Sequence, residues 1–345
     1  MKKLIVSSLE RDVGKTSLIL GLAGNYPGKF AYLKPFGDRL VYHEKKLWDH
    51  DAQLMGSLFD LQHSPAEMSL GFDHSKIKFQ YDHATIQTTL KAMAEKYQQS
   101  NDLLIVETGR DLARGTALHL DALSICKSMG GTQVLVVGGI HDRIMDDLLF
   151  FDRHLYLQDH NFAGVILNKV KDIPEFLIEF HKELDSLKFP ILGIIPYAAE
   201  LSSPTVRNIA ETLSAKVLTA ETNLDVDVRE ILVGAMSADA VLRLEKFKHR
   251  EKLIITSGDR SDMILAAINA ECVGIVLTNN ILPPPNIIAL VSEKNVPLMI
   301  VQNDTFQIAK KIDMMVPLIN AENPDKIDLI KRLVKENVKT ELLWA

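Results

Sequence analysis

Short, unbroken apolar runs closed off by turn residues recur through the first two hundred positions: Leu4–Val6, Phe30–Leu33, Leu103–Val106, Gln133–Val137, Gly164–Leu167 and Ile191–Ile195. Strands buried on one face alternate apolar and polar residues; runs without alternation mark strands buried on both faces. Between them, apolar residues at 3.6-residue spacing predict helices over 84–97 and 117–128. The alternation of strand and helix predicts a mostly parallel sheet with helices on both faces and right-handed crossovers. In such a sheet, ligand-binding groups collect at the carboxyl ends of the strands.

From about Ala215 a second series begins. Strands are predicted at Val217-Leu218, Glu230–Leu232, Leu253–Thr256, Gly274–Leu277 and Leu298–Val301. Helices are predicted over 238–247, 262–270, 305–312 and 324–338, with one more following Pro283-Pro284-Pro285 and ending at Lys294. A chain of 345 residues exceeds what one hydrophobic core usually serves. Two domains, 1–215 and 216–345, are therefore expected.

Composition narrows the function classes. The 47% of hydrophobic residues can supply two cores, and a net charge of -6 gives no electrostatic reason to expect nucleic acid or an anionic membrane as partner. No stretch reaches the ~18 apolar residues of a membrane span, and a soluble, cytoplasmic protein is expected. Cys126 and Cys272 lack metal-ligand spacing and read as reduced core thiols. His141, His154 and His160 lie among charged neighbours, as on a solvated helix face.

The first strand runs straight into chemistry. After Leu4-Ile5-Val6 comes Ser7-Ser8-Leu9-Glu10-Arg11-Asp12-Val13-Gly14-Lys15-Thr16-Ser17, and then an apolar helix. A strand, a loop with Gly-Lys-Thr and a helix form a phosphate cradle: main-chain N–H groups at the helix start face the phosphates, the lysine adds a mobile cation, and the threonine hydroxyl can hold Mg²⁺. The first glycine of the usual pattern would fall at position 9, which is Leu9. Glu10, Asp12, Val13, Gly14, Lys15, Thr16 and Ser17 are thus candidates for binding ATP.

Other strand ends carry further candidates. Lys34, in Lys34-Pro35-Phe36-Gly37-Asp38-Arg39, is either a second phosphate-facing cation or a surface lysine before a turn. Asp49-His50-Asp51 opens a helix, where carboxylates favour the helix dipole or serve a metal. Glu107 ends an apolar strand, the place of a Mg²⁺-holding acid in phosphate-loop proteins. Asn168 ends another and either pairs with adenine or forms a turn. In the second series, Gly258-Asp259-Arg260-Ser261-Asp262 lies between strand and helix, an anion site or a loop fixed by an Arg-Asp pair. Asp304-Thr305 reads as a helix cap.

Together these motifs resemble dethiobiotin synthetase. Val13-Gly14-Lys15-Thr16, Lys34-Pro35, Asp51, Val106-Glu107, Leu167-Asn168 and Gly193-Ile194-Ile195-Pro196 follow that family's order. The resemblance implies a P-loop NTPase-like domain with Thr16, Asp51 and Glu107 on Mg²⁺, Lys15 and Lys34 on phosphate as catalytic cations, and Asn168 on adenine. The family's glycine-rich continuation, part of its diaminopelargonate pocket, is replaced by Thr108-Gly109-Arg110-Asp111-Leu112-Ala113-Arg114. The ATP half is kept and the acceptor half is not. Val233–Ser237, Thr256–Asp262, Ile275–Asn280 and Asp304–Phe306 are similar to a smaller α/β DRTGG domain, with Asn279-Asn280 where its glycine pair would lie. In that domain Gly258, Asp259, Arg260, Asp262 and Thr278 are the candidate ligand residues.

Leu201-Ser202-Ser203-Pro204-Thr205-Val206 at the junction resembles the N-terminal region of long phosphate acetyltransferases, which joins these two domains. Their acetyl-transferring domain is expected to be absent. The resemblance implies a Mg-ATP-binding regulatory protein, dimeric through the second domain. The alternative is an ATP-dependent ligase or phosphoryl transferase acting on a small carboxylate or carbamate.

Overall fold

The computed structural model describes residues 1–43, 46–155 and 161–344; His160 lies outside them. Among the described residues, eight strands precede residue 198: β1 (Lys2–Ser8), β2 (Phe30–Leu33), β3 (Leu40–His43), β4 (Lys46–Asp49), β5 (Leu103–Glu107), β6 (Thr132–Gly138), β7 (Phe162–Val170) and β8 (Ile191–Pro196). Six form one parallel sheet in the order β2-β5-β1-β6-β7-β8. Its middle strands are fully apolar runs because both faces are covered: Leu4, Ile5, Val6, Leu104, Ile105, Val106, Leu135 and Val136 are all buried.

The chain leaves β1 toward β2 and β5 on one side and returns to β6 on the other. The loop after β1 therefore sits where the strand order reverses, the crevice in which open α/β sheets bind ligands. The pairing of Val6 with Glu107 and Val134 sets this loop beside the end of β5.

Five more strands make the second sheet: β9 (Lys216–Thr219), β10 (Glu230–Val233), β11 (Lys252–Ser257), β12 (Gly274–Thr278) and β13 (Leu298–Ile300), ordered β10-β11-β12-β13-β9. Four are parallel; β9 closes the edge antiparallel to β13. Buried side chains cover both faces of this sheet, with Ile254, Ile264 and Val291 on one and Leu253, Ile209 and Ile308 on the other.

Two expected helices are broken and one hairpin is added. The helix over 117–128 is interrupted: a 3-10 turn at Thr116–Leu118 ends at His119, which has φ 54°, and the helix Ala122–Met129 starts afresh under Asp121, whose carboxylate accepts from Ser124 N–H. The helix over 238–247 splits into Ala238–Val241 and Glu245–Lys248 because Leu244 is extended. The hairpin β3–β4, with Leu40 paired to Asp49, was not anticipated. Its strands are short and Leu40, Tyr42 and Leu47 are exposed, so no buried run announces them.

The domain limits also differ from 1–215 and 216–345. The chain divides into Met1–Ala198 with Ile319–Ala345, and Ala199–Leu318. The helix Pro324–Asn337 belongs to the first unit, where Ile327, Ile330 and Val334 are buried beside helix α1 (Lys15–Asn25). Gly21 makes that approach possible, since a Cβ there would stand 2.3 Å from Val334 Cγ2. Asn25 Nδ2 donates to Lys331 O at 2.8 Å, and Gly193 of β8 bridges Val338. Burial pushes both cysteine thiols up to about 12, as core positions do. Among the described residues no helix is long and apolar enough to cross a membrane.

Candidate functional site

The phosphate loop is shaped by two left-handed residues. Asp12 has φ 62° and Gly14, which caps α1, has φ 89°. A Cβ on Gly14 would lie 2.4 Å from Asn168 Nδ2, so position and conformation both demand glycine. Leu9, standing where a glycine was expected, packs against the core of β6 and β7; at this position the loop is anchored by a side chain. Gly14→Ala is expected to strain the loop by roughly 1–3 kcal/mol. The expected result is a lower denaturation midpoint together with weaker nucleotide binding in calorimetry; an Ala variant equal in both would refute the assignment.

Lys15 is buried, and its ammonium donates to Ser8 Oγ at 2.7 Å and Arg110 O at 2.9 Å. Burial pulls its pKa down. Thr16 donates to Glu107 Oε1 at 2.9 Å, and Tyr32 donates to Glu107 Oε2 at 2.8 Å. Burial lifts the Glu107 carboxyl to about 7, against the pull of Lys34. The two acids of the loop are turned outward: Asp12 pairs with Arg39 at 2.7 Å and Glu10 with Arg143. Ser17 follows in the first turn of α1, half-buried.

Lys34 is not a surface lysine. It is 2% exposed, with Nζ 2.5 Å from Asp51, 2.7 Å from Asp38 and 3.3 Å from Asp49. The Asp49 reading divides cleanly: its carboxylate caps helix α2 (His50–Leu58) through Asp51 N and Ala52 N, and holds Asp38 N and Arg39 N with its other oxygen. Asp51 is the ionic partner, kept well below the usual carboxylate range by Lys34 despite burial. His50 lies 3.3 Å from it, and that contact raises the imidazole pKa although burial opposes.

Asn168 supports the loop. Its amide donates to Val13 O at 2.8 Å and accepts from Lys169 N–H, while Lys169 Nζ donates to Asp12 O at 2.8 Å. Tyr32, Arg39 and His50 had no assigned role from sequence; the one signal was Tyr32, the only polar tip in the buried run Phe30–Leu33.

The fit to Mg²⁺ can be tested on these donors. Thr16 and Glu107 offer neighbouring oxygens on buried elements and no sulfur or nitrogen, which suits a hard cation. Asp51 is already engaged by Lys34 and His50. Among the described residues no group of three or more His, Cys, Asp or Glu side chains could hold a metal unaided. Mg²⁺ ordinarily takes one or two protein oxygens and completes its shell with phosphate and water. His141 is spent on Lys171 O and Glu179.

In the second unit, Arg260 Nη2 donates to Met236 O at 2.9 Å and to Asp262 Oδ2 at 3.0 Å, with Nε on Asp262 Oδ1 at 2.9 Å. The Arg-Asp pair thus fixes this loop. Gly258 is buried so tightly that a Cβ would stand 1.9 Å from Ile281 O, and Asp259 is exposed. Thr278 is buried beside Thr305, 3.2 Å between hydroxyls. Asn279 and Asn280 have φ 59° and 54°, the left-handed conformation that a glycine pair would supply and that asparagine tolerates.

Comparison with known proteins finds two families in succession along the chain. The family described as AAA domain matches residues 2–205, and the DRTGG domain matches 208–315. Phosphate acetyltransferase of Synechocystis sp. is 26% identical over 364 residues, 99% of this chain and 51% of the relative. The Pseudomonas aeruginosa enzyme of that name is 28% identical over 207 residues, 54% of this chain and 29% of the relative. The chain spans about half the length of the first of these. Two solved structures are similar at low TM-score. The CBS and DRTGG domains of the regulatory region of Clostridium perfringens pyrophosphatase, complexed with the activator diadenosine tetraphosphate, share 22% identity over 34% of this chain and 49% of theirs, TM-score 0.29. A plasmid partition protein of Borrelia burgdorferi shares 15% over 58% of this chain and 91% of its own, TM-score 0.33. The chain belongs to the AAA-domain family of dethiobiotin-synthetase-like P-loop proteins, here followed by a DRTGG domain, and is homologous to the N-terminal region of phosphate acetyltransferases.

Proposed function

We propose that the first unit binds Mg-ATP and that the chain is a nucleotide-responsive regulatory protein. The observation that carries nucleotide binding is the left-handed Gly14 opening α1 beside the Thr16–Glu107 pair at the switch point of the sheet. Main-chain N–H groups of Val13–Ser17 and the Lys15 ammonium are the groups that would hold the phosphates. Thr16 and Glu107 would hold Mg²⁺, which supplies neutralisation of phosphate charge when bound. Lys15 must leave Ser8 Oγ and Arg110 O for this, a move favoured by exchanging two neutral acceptors for a polyanion.

Regulation is favoured over ligase chemistry by Lys34. A transferase needs that cation facing the reacting phosphate and acceptor. Here it is enclosed by Asp38, Asp49 and Asp51, and Phe36 beside it is buried under the Arg114 guanidinium, 4.9 Å from the ring centre. Calorimetric titration with Mg-ATP is expected to show saturable binding that Lys15→Ala abolishes. Equal binding by the two proteins, or none by either, ends the nucleotide reading. ADP release should stay at background with small carboxylates and amines present; stoichiometric turnover with one acceptor would overturn the regulatory reading in favour of the ligase.

A further inference from the structure

Lys34 is enclosed by three carboxylates and 2% exposed, which leaves it little to offer a ligand. Arg39, five residues on in the chain after β2, is placed differently. Its side chain is 31% exposed and spans the gap between the phosphate loop and the buried acids. Nη2 donates to Asp12 Oδ1 at 2.7 Å, while Nη1 stands 3.8 Å from Asp51 Oδ1, beyond hydrogen-bond reach. Among the described residues no other group accepts a hydrogen bond from this guanidinium, so most of its five N–H donors lack a protein partner.

Arg39 is one of three cations that meet at the loop. The Asp12 main-chain oxygen accepts from Lys169 Nζ at 2.8 Å, and Lys15 lies three residues further along. Burial lowers the pKa of both lysines, and the charge of Arg39 lowers them further. A terminal phosphate suits the guanidinium better than one carboxylate oxygen does, because it carries more charge and presents oxygens that the planar fork binds in pairs. Main-chain N–H groups at the start of α1 face the inner phosphates. Arg39 approaches instead from Asp51, and Glu107 is among the acids that raise its pKa against burial. It therefore lies toward the end of a bound polyphosphate, where Thr16 and Glu107 would hold Mg²⁺ between the last two phosphates.

We infer that Arg39 exchanges Asp12 for the terminal phosphate of the nucleotide and makes the site selective for a nucleoside triphosphate over the diphosphate. The inference rests on the nucleotide reading of the phosphate loop and names what that site distinguishes.

Calorimetric titration of the full chain with Mg-ATP and with Mg-ADP tests it in the parent protein, in Arg39→Gln and in Asp12→Asn. Asparagine matches the size of Asp12 and tolerates its φ of 62°. The two substitutions break the same ion pair, yet opposite results are expected. The parent is expected to bind ATP about tenfold or more tightly than ADP, and Arg39→Gln to bring the two within about threefold by weakening ATP alone. Asp12→Asn removes the acid that competes for Arg39 and is expected to bind ATP more tightly than the parent does. Equal affinity of the parent for the two nucleotides overturns the inference without any variant. So does a parallel loss of ATP and ADP affinity in both variants, which would make the ion pair a strut of the loop. In either case the nucleotide reading stands; it falls, and this inference with it, only if the parent binds neither nucleotide.

Discussion

Lys34→Met is expected to destabilise the first unit by about 3–5 kcal/mol, the cost of removing one partner from a buried ionic cluster. Burial alone would pull the Lys34 pKa down, yet Asp51, with Glu107, Asp49 and Asp38, lifts it well above its ordinary value. The cation is therefore what makes it possible to bury these acids. Without it, Asp51 and Asp49 stand 2% and 0% exposed with their nearest cation gone, Arg39 remaining 3.8 Å from Asp51, and Asp49 still has to hold the loop at Asp38 and Arg39 as well as the start of α2. Urea unfolding checks the effect as a fall in the midpoint at unchanged slope. Adding Asp51→Asn to Lys34→Met should recover part of the loss, because the two positions share one interaction. A single variant within 1 kcal/mol of the parent, a surface-pair value, would show that the cluster is solvated and not the buried network described.

This cluster also marks where sequence reading succeeds and where it stops. The central strands were legible because burial on both faces writes itself as uninterrupted Ile, Leu and Val, and the phosphate loop because Gly14-Lys15-Thr16 must follow a strand and open a helix. Lys34 and Asp51 were legible as residue types at strand and helix ends, but not as partners of each other. Seventeen positions separate them, and their 2.5 Å contact depends on Asp49 capping α2 so that Asp51 turns inward. Tyr32 reaches Glu107 only because β2 lies next to β5 and not next to β1, a matter of sheet order that no local pattern records. Asn279-Asn280 is the converse case: a departure in residue type that preserves the left-handed backbone. The hairpin β3–β4 escaped notice since two four-residue strands with exposed apolar side chains match no burial pattern.

The allegiance of the last helix was the least legible feature, and it carries the other large expectation. A protein ending at Leu318 is expected to lose the cooperative unfolding of the first unit, not of the second, although the deleted residues lie beyond the second in sequence. The deletion removes five buried apolar side chains, Ile327, Ile330, Val334, Val338 and Leu343. At roughly 1.5–3 kcal/mol each, their burial contributes on the order of 10 kcal/mol, comparable to the whole stability of a typical domain. It also uncovers Gly21 on α1, where Val334 sits, and Gly193 on β8, where a Cβ would stand 2.3 Å from Asn337 O. Helix α1 begins at Lys15, so loosening its outer face also loosens the phosphate loop, and the truncated protein should bind Mg-ATP far more weakly. Hydrogen exchange separates the alternatives. Loss of protection throughout the first unit, α1 and β8 included, with β10–β13 still protected, matches the packing described, whereas loss confined to β10–β13 would return the final helix to the second domain, where its place in the sequence alone would put it.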